Sequence, residues 1–315
     1  MMAARLLAAF LVVGAVLAAA PHAAHAWTPG THIYLGESVL ANLQLLPAHV
    51  ASLLRAFPYD FLYGNIAADS SIAKKYAPVG RHCHYWHVGQ EIHDLADSEA
   101  LGAFGWGYLC HLAADTVAHN YFVPRQLVLT SSTASVGHSY WESRVEMHLG
   151  DGYSHGAREL IRMDHAAADA HLDRIISPTI FSVRTNRRLF RGMVHLVDTP
   201  GWQRGMQAAR ERSRWDLTDA DVRDHMSRSL EYMMAVLGED DAAPRRLDPS
   251  GERPLKVAKE IRRRALRTFG RKAPDELEAV AHEHYGLPET TLQYAPHVSR
   301  ELPWHNGNPE PGSGH

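Results

Sequence analysis

Apolar and polar positions follow a helical rather than a strand period along most of this chain. Residues 32–44 (HIYLGESVLANLQ) set the pattern, and 47–57 predicts a short helix bounded by Pro47 and Pro58. A small-residue stretch, 64–71 (GNIAADSS), reads as a turn leading into a helix. Residues 84–103 and 105–121 then predict two helices, the second stopped by Pro124. Residues 124–137 (PRQLVLTSSTASVG) read as a polar loop, after which an amphipathic pattern resumes from His138 to His148. Further helical runs cover 154–176, 188–212 and 218–237, the last with Thr218 as N-cap and Asp219 in its first turn. No segment has a convincing strand period and none repeats another. The fold class is all-α.

The two ends depart from this pattern. Arg5, the apolar run 6–20 and Ala24-His25-Ala26 have the layout of a secretory signal peptide, 1–26, with cleavage following Ala26. The run is short for a membrane span, and no later stretch is long enough to be one. The mature chain is therefore expected to be secreted or periplasmic and to begin at Trp27. Residues 27–237 form the main domain, and 238–254 (GEDDAAPRRLDPSGERP) have the composition of a linker. A C-terminal helical extension, 255–302, opens with LKVAKEIRRRALRTFG, which sets Leu255, Ala258, Ile261, Ala265, Leu266 and Phe269 opposite a basic face. Such a helix suits peripheral contact with an anionic membrane, and equally an outer helix with a solvated charged side. Residues 303–315 read as a disordered tail.

At 315 residues, 45% hydrophobic and 21% charged, the chain can bury a full core. A net charge of -3 gives no global attraction to nucleic acid. Histidine, with 22 residues, is the outlier and raises the prior for metal chemistry. His111, Asp115 and His119 stand one helical turn apart, and His138 and Glu142 repeat the step. Imidazoles and carboxylates aimed into one space are a donor set that suits zinc. The two cysteines, Cys83 and Cys110, each precede a candidate ligand, His84 and His111. A disulfide between them and two reduced, buried thiols are both compatible with the spacing.

A Trp at the expected mature N-terminus, an early His, an Asp in a small-residue turn, H-x-x-x-D, a further His and H-x-x-x-E together resemble the zinc-dependent phospholipase C family. They also resemble the related zinc-dependent single-strand nucleases. The resemblance runs from Trp27 to Glu142 and implies a multi-helix bundle with three zinc ions in a cleft, residues 27–237 being the catalytic domain. It further implies that the α-amino and carbonyl groups of Trp27, with His32, hold one zinc, and that Asp115 bridges it to a second held by His84 and His111. His119, His138 and Glu142 would hold the third, and Asp69 would handle protons beside the metals. The family places five residues between the bridging Asp and the next His, where this chain has three. His82 and His87 flank His84, and either is an alternative to it.

Phosphodiester hydrolysis needs charge neutralised on the non-bridging and leaving oxygens, and a nucleophile generated at neutral pH. Clustered dications supply both by lowering the pKa of bound water to about 7. The resemblance thus implies a hydrolase that uses metal-bound hydroxide to cleave a phospholipid into diacylglycerol and a phosphorylated head group. A phospholipid or other phosphodiester is the expected partner, with no stable nucleic-acid partner. A single-strand nuclease is the alternative in the same reaction class; Tyr85, Trp86, Trp106, Tyr140 and Trp141 are candidate stacking platforms for it. A non-catalytic metal-binding protein that keeps the site is the alternative outside it.

Overall fold

The computed structural model describes residues 27–130, 134–149, 152–213, 215–238, 242–270 and 273–290, with 134–139 and 242 described by their backbone alone. The expected signal peptide and the tail 303–315 lie outside the described residues. Every regular element among them is helical: α1 (Pro29–Ala41), α2 (Ala48–Ala56), α3 (Pro58–Ala67), α4 (Trp86–Asp94), α5 (Glu99–Val117), α6 (Val123–Leu129), α7 (Ala134–Leu149) and α8 (Tyr153–Leu160). There follow α9 (Ala166–Ile175), α10 (Val183–Val197), α11 (Pro200–Glu211), α12 (Asp219–Leu237), α13 (Ala242–Arg245), α14 (Glu252–Phe269) and α15 (Pro274–Tyr285). The all-α class is as the periodicity requires.

Boundaries follow local chemistry. The run 84–103 divides because Ser98 caps α5, its hydroxyl accepting from the Leu101 amide. The run 188–212 divides at Thr199, which caps α11 with Pro200 in the first turn. Thr218 caps α12 in a reciprocal capping box with Asp221. Pro124 corrects the sequence reading. It sits in the first turn of α6, so 123–129 is helix rather than loop. Between α5 and α6 the chain does not leave the helix; it widens into a π-turn, Ala118–Phe122.

Helix α5 organises the core. Every position from Gly107 to Val117 is buried, so the helix is enclosed on all sides by α3, α4 and α12. Its crossing with α3 is a backbone contact. A Cβ on Gly64 would lie 2.1 Å from the Phe104 carbonyl oxygen, and one on Gly107 would lie 2.0 Å from that of Phe61. Gly64→Ala should therefore push the two helices apart and cost at least about 1–3 kcal/mol. Chemical denaturation checks this; an unchanged midpoint would mean the crossing tolerates the extra methyl.

Residues 242–254 and α14 lie close to the core. The Trp86 indole Nε1 donates to the Leu247 carbonyl at 3.1 Å, and Asn120 Nδ2 donates to that of Asp248 at 2.9 Å. The apolar side of α14, with Leu255, Ala258 and Ala265 buried, packs against α6 and α15. No helix among the described residues is long and apolar enough to cross a membrane. Cys83 and Cys110 are both buried free thiols, so the disulfide is not formed.

Candidate metal centre

Four parts of the fold deliver side chains to one enclosed point. Helix α1 brings His32, and α5 brings His111 and Asp115, one turn apart on a face that burial forces inward. The 3₁₀ turn after α3, Ala68–Ser70, brings Asp69, and the loop ahead of α4 brings His84. All five are 0% exposed. Among the described residues, three sets of ligand-type atoms close to within 4.8 Å: His32 with His111 and Asp115, Asp69 with His84 and His111, and His82 with Cys83 and His84.

Asp115 is the hub. Its Oδ1 lies 3.1 Å from His32 Nε2, and its Oδ2 lies 3.1 Å from His84 Nε2 and 3.2 Å from His111 Nε2. His84 Nε2 is also 3.4 Å from Asp69 Oδ1. These are contacts of proximity rather than alignment: neither Asp115 oxygen and neither His32 nitrogen has a hydrogen-bond partner of proper geometry. A buried polar atom left unsatisfied costs about 1–3 kcal/mol, and a cation at the hub would satisfy several of them at once.

The ring protons point the same way. His111 Nδ1 is 2.7 Å from the Asn65 carbonyl, which can only accept, so the proton sits on Nδ1 and Nε2 carries a lone pair. His119 is fixed alike, its Nδ1 donating to the Pro249 carbonyl at 2.7 Å. His84 Nε2 receives the Lys74 ammonium at 3.1 Å, which leaves its proton on Nδ1, facing Cys83 Sγ at 3.2 Å. Two imidazole lone pairs, on His84 and His111, thus stand 3.1 Å apart. That is close to the roughly 3.3 Å separating ligand atoms around a tetrahedral zinc with Zn–N of about 2.0–2.1 Å.

The charge states of His32 and Asp115 suit ligation as well. Burial, then the neighbouring His111, pushes His32 down to about 4, so it is a neutral imidazole at pH 7. Burial opposes ionisation of Asp115, yet the imidazoles of His111, His32 and His84 hold it well below the usual carboxylate range. A neutral imidazole and an ionised carboxylate are the forms a divalent cation takes up. The donor set fits zinc.

Of the candidates beside His84, His82 uses its Nδ1 to accept the His84 amide at 3.1 Å, and burial pushes it down to about 2. His87 is exposed, its Nε2 lying 2.7 Å from the Gly80 carbonyl. Neither reaches Asp115 as His84 does. Trp27 is fully buried, its indole Nε1 donating to the Ala114 carbonyl at 3.0 Å, which seats it one residue from Asp115. His119 and Glu142 are buried but belong to none of the three close sets. His138 lies on α7, its side chain outside the described residues.

The π-turn changes the phase of the helix after Asp115 and aims His119 at the loop 249–251. Gly251 lies against it with φ +70°, where a Cβ would come 2.7 Å from the ring. Glu142 lines a cavity of about 690 Å³ together with Thr28, Glu146, Met147, Phe190 and Trp202. Glu146, one turn further along α7, accepts from the hydroxyls of Thr28 and Ser154. Three participants were missed by sequence reasoning: Lys74, the Pro249 carbonyl and Glu146. Only Glu146 had a sequence signal, as the next four-residue step after His138 and Glu142.

A family model described as zinc dependent phospholipase C matches residues 31–180, a span that holds His32, Asp69, His84, His111, Asp115, His119, His138 and Glu142. The matched span, just under half of the chain, has this family's pattern and supports a zinc-dependent phosphodiester hydrolase at family level. No curated protein and no solved structure matches the chain.

Proposed function

We propose that the mature chain is an exported phospholipase C, hydrolysing a phospholipid to diacylglycerol and a phosphorylated head group. The observation that carries this reading is the buried Asp115 hub, whose oxygens and surrounding imidazole nitrogens approach one another without hydrogen bonds. Asp115 with His32 and His111 would hold zinc there, and the backbone of Trp27 would complete the shell. His119, His138 and Glu142 would hold another ion. Zinc bound at these places supplies charge neutralisation for the phosphate oxygens and an acidified water.

The protein's own groups do the rest. The Lys74 ammonium lies 2.8 Å from Asp69 Oδ1 and holds that carboxylate in place, where it would orient the attacking water. In the reaction, water oxygen adds to phosphorus, the bond from phosphorus to the glycerol oxygen breaks, and the water's proton ends on the departing alcohol. The cavity beside Glu142 has Met147, Phe190, Met193 and Val194 along its lining, with Glu146, Asp198 and Arg210, and would offer a lipid both an apolar wall and polar anchors.

The test is a substrate panel on the purified mature chain. Phosphatidylcholine vesicles should release diacylglycerol, with activity lost to a chelator and restored by zinc. Degradation of single-stranded DNA without lipid cleavage would favour the nuclease reading, and bound zinc with no turnover of either substrate the non-catalytic one.

The expected role of Trp27 gives a separate prediction. A free α-amino group has a pKa of about 7.7–8.0, so a dication can displace its proton at neutral pH, whereas an amide nitrogen has no such lone pair. A chain with one extra Gly ahead of Trp27 should bind one zinc fewer than a chain that begins at Trp27, and should hydrolyse lipid poorly. Equal zinc content in the two chains would remove the N-terminus from the site.

A further inference from the structure

Among the described residues, Lys74 is the one lysine drawn into the site. Its side chain is 3% exposed, and its ammonium lies 2.8 Å from Asp69 Oδ1 and 3.1 Å from His84 Nε2. Asp69, His84 and His111 are one of the close sets a metal ion could occupy. The ammonium is therefore bound by the same two atoms, the Asp69 oxygen and the His84 lone pair, that a metal in that set would require.

The local backbone is built to put it there. Ala73, immediately before Lys74, has φ 58°, the only left-handed non-glycine among the described residues. Such a conformation carries strain for a residue with a Cβ and persists only when its surroundings impose it. They do: the Ile72 carbonyl accepts from Thr179 Oγ1 at 2.7 Å, and Asn186 Nδ2 donates to the same hydroxyl at 3.0 Å. The chain thus turns sharply inward at Ala73 and is tied down from 179 and 186.

Charge then sets how many dications the enclosure can take. Asp69 and Asp115 are the two carboxylates at this point, and both are fully buried. An ammonium and one dication bring three positive charges against their two negative ones. An ammonium and two dications would bring five, in a low-dielectric space where such repulsion is barely screened.

We infer that Lys74 is a built-in monovalent cation that takes the place of one zinc at Asp69 and His84, leaving the ion held by Asp115, His32 and His111 as the only metal in this knot. The inference rests on the zinc-centre reading above and narrows its count. It makes Lys74 a positioning residue, which holds Asp69 in place as a metal would.

The experiment counts zinc per folded chain by plasma mass spectrometry after saturation and removal of excess. Lys74→Met, which keeps the length and removes the charge, should bind one zinc more than the wild type when both chains begin at Trp27. Lys74→Arg should bind the wild-type number. His84→Ala in the wild-type background should leave the count unchanged, since His84 serves the ammonium; this arm decides the matter where Lys74→Met does not fold. Equal counts for wild type and Lys74→Met, or the loss of one zinc in His84→Ala, would overturn the inference and leave the zinc centre standing. A wild-type chain that binds no zinc would overturn the zinc centre itself.

Discussion

An Asp115→Asn chain is expected to lose zinc from the centre and to hydrolyse lipid at least about 10³-fold more slowly, more than any other single ligand change brings about. Asp115 is the residue on which His32, His84 and His111 converge, at 3.1 to 3.2 Å. Asn has nearly the same shape but one neutral oxygen, so the negative charge that offsets a dication disappears with the geometry almost unchanged. Charge stabilisation by a metal in such a transition state is worth several kcal/mol, and each 1.36 kcal/mol is tenfold in rate. Zinc content and turnover should fall together. Full zinc content with near-normal turnover would mean that Asp115 is a structural carboxylate and not the hub.

Asp69→Asn should act first on the fold. From the sequence alone, this substitution leaves metal and fold in place and removes only proton handling. The buried ion pair with Lys74 changes what it tests, because the partner is 3% exposed and cannot be rescued by solvent. Removing one member of a buried pair typically costs about 3–5 kcal/mol, since the other charge is left unpaired. Asp69→Asn should therefore lower the stability of the metal-free chain by about that much. The double variant Asp69→Asn with Lys74→Met should recover most of the loss, as replacing both members of a pair is often near neutral. Denaturant titration of the four chains measures the coupling. Additive losses would show that the two side chains do not act as a pair.

Helix α5 and its two ligand-type residues were legible because a four-residue step on an apolar helix has few other readings, and burial turns that face inward. The Thr218 cap was legible for a similar reason: a hydroxyl ahead of an acidic first turn has a specific job at a helix start, while its reciprocal bond with Asp221 was not read. Pro124 misled because a proline both stops helices and begins them, and the sequence does not say which. The π-turn left no trace in the pattern, so the direction of His119 could not be had from spacing. Lys74 was illegible in a different way. A lysine beside a second lysine, Lys75, in a polar turn reads as surface, and the inward turn depends on Ala73 adopting a backbone conformation rare for alanine. The Pro249 carbonyl lay in a stretch whose charge and proline content read as a linker, while its position against His119 depends on tertiary contacts.

Zinc in the enclosure around Asp115 should be visible by anomalous diffraction at the zinc edge, from crystals of the zinc-loaded chain beginning at Trp27. A peak is expected bounded by Asp115, His32 and His111. Anomalous density only elsewhere in the molecule, with those three side chains empty, would contradict it.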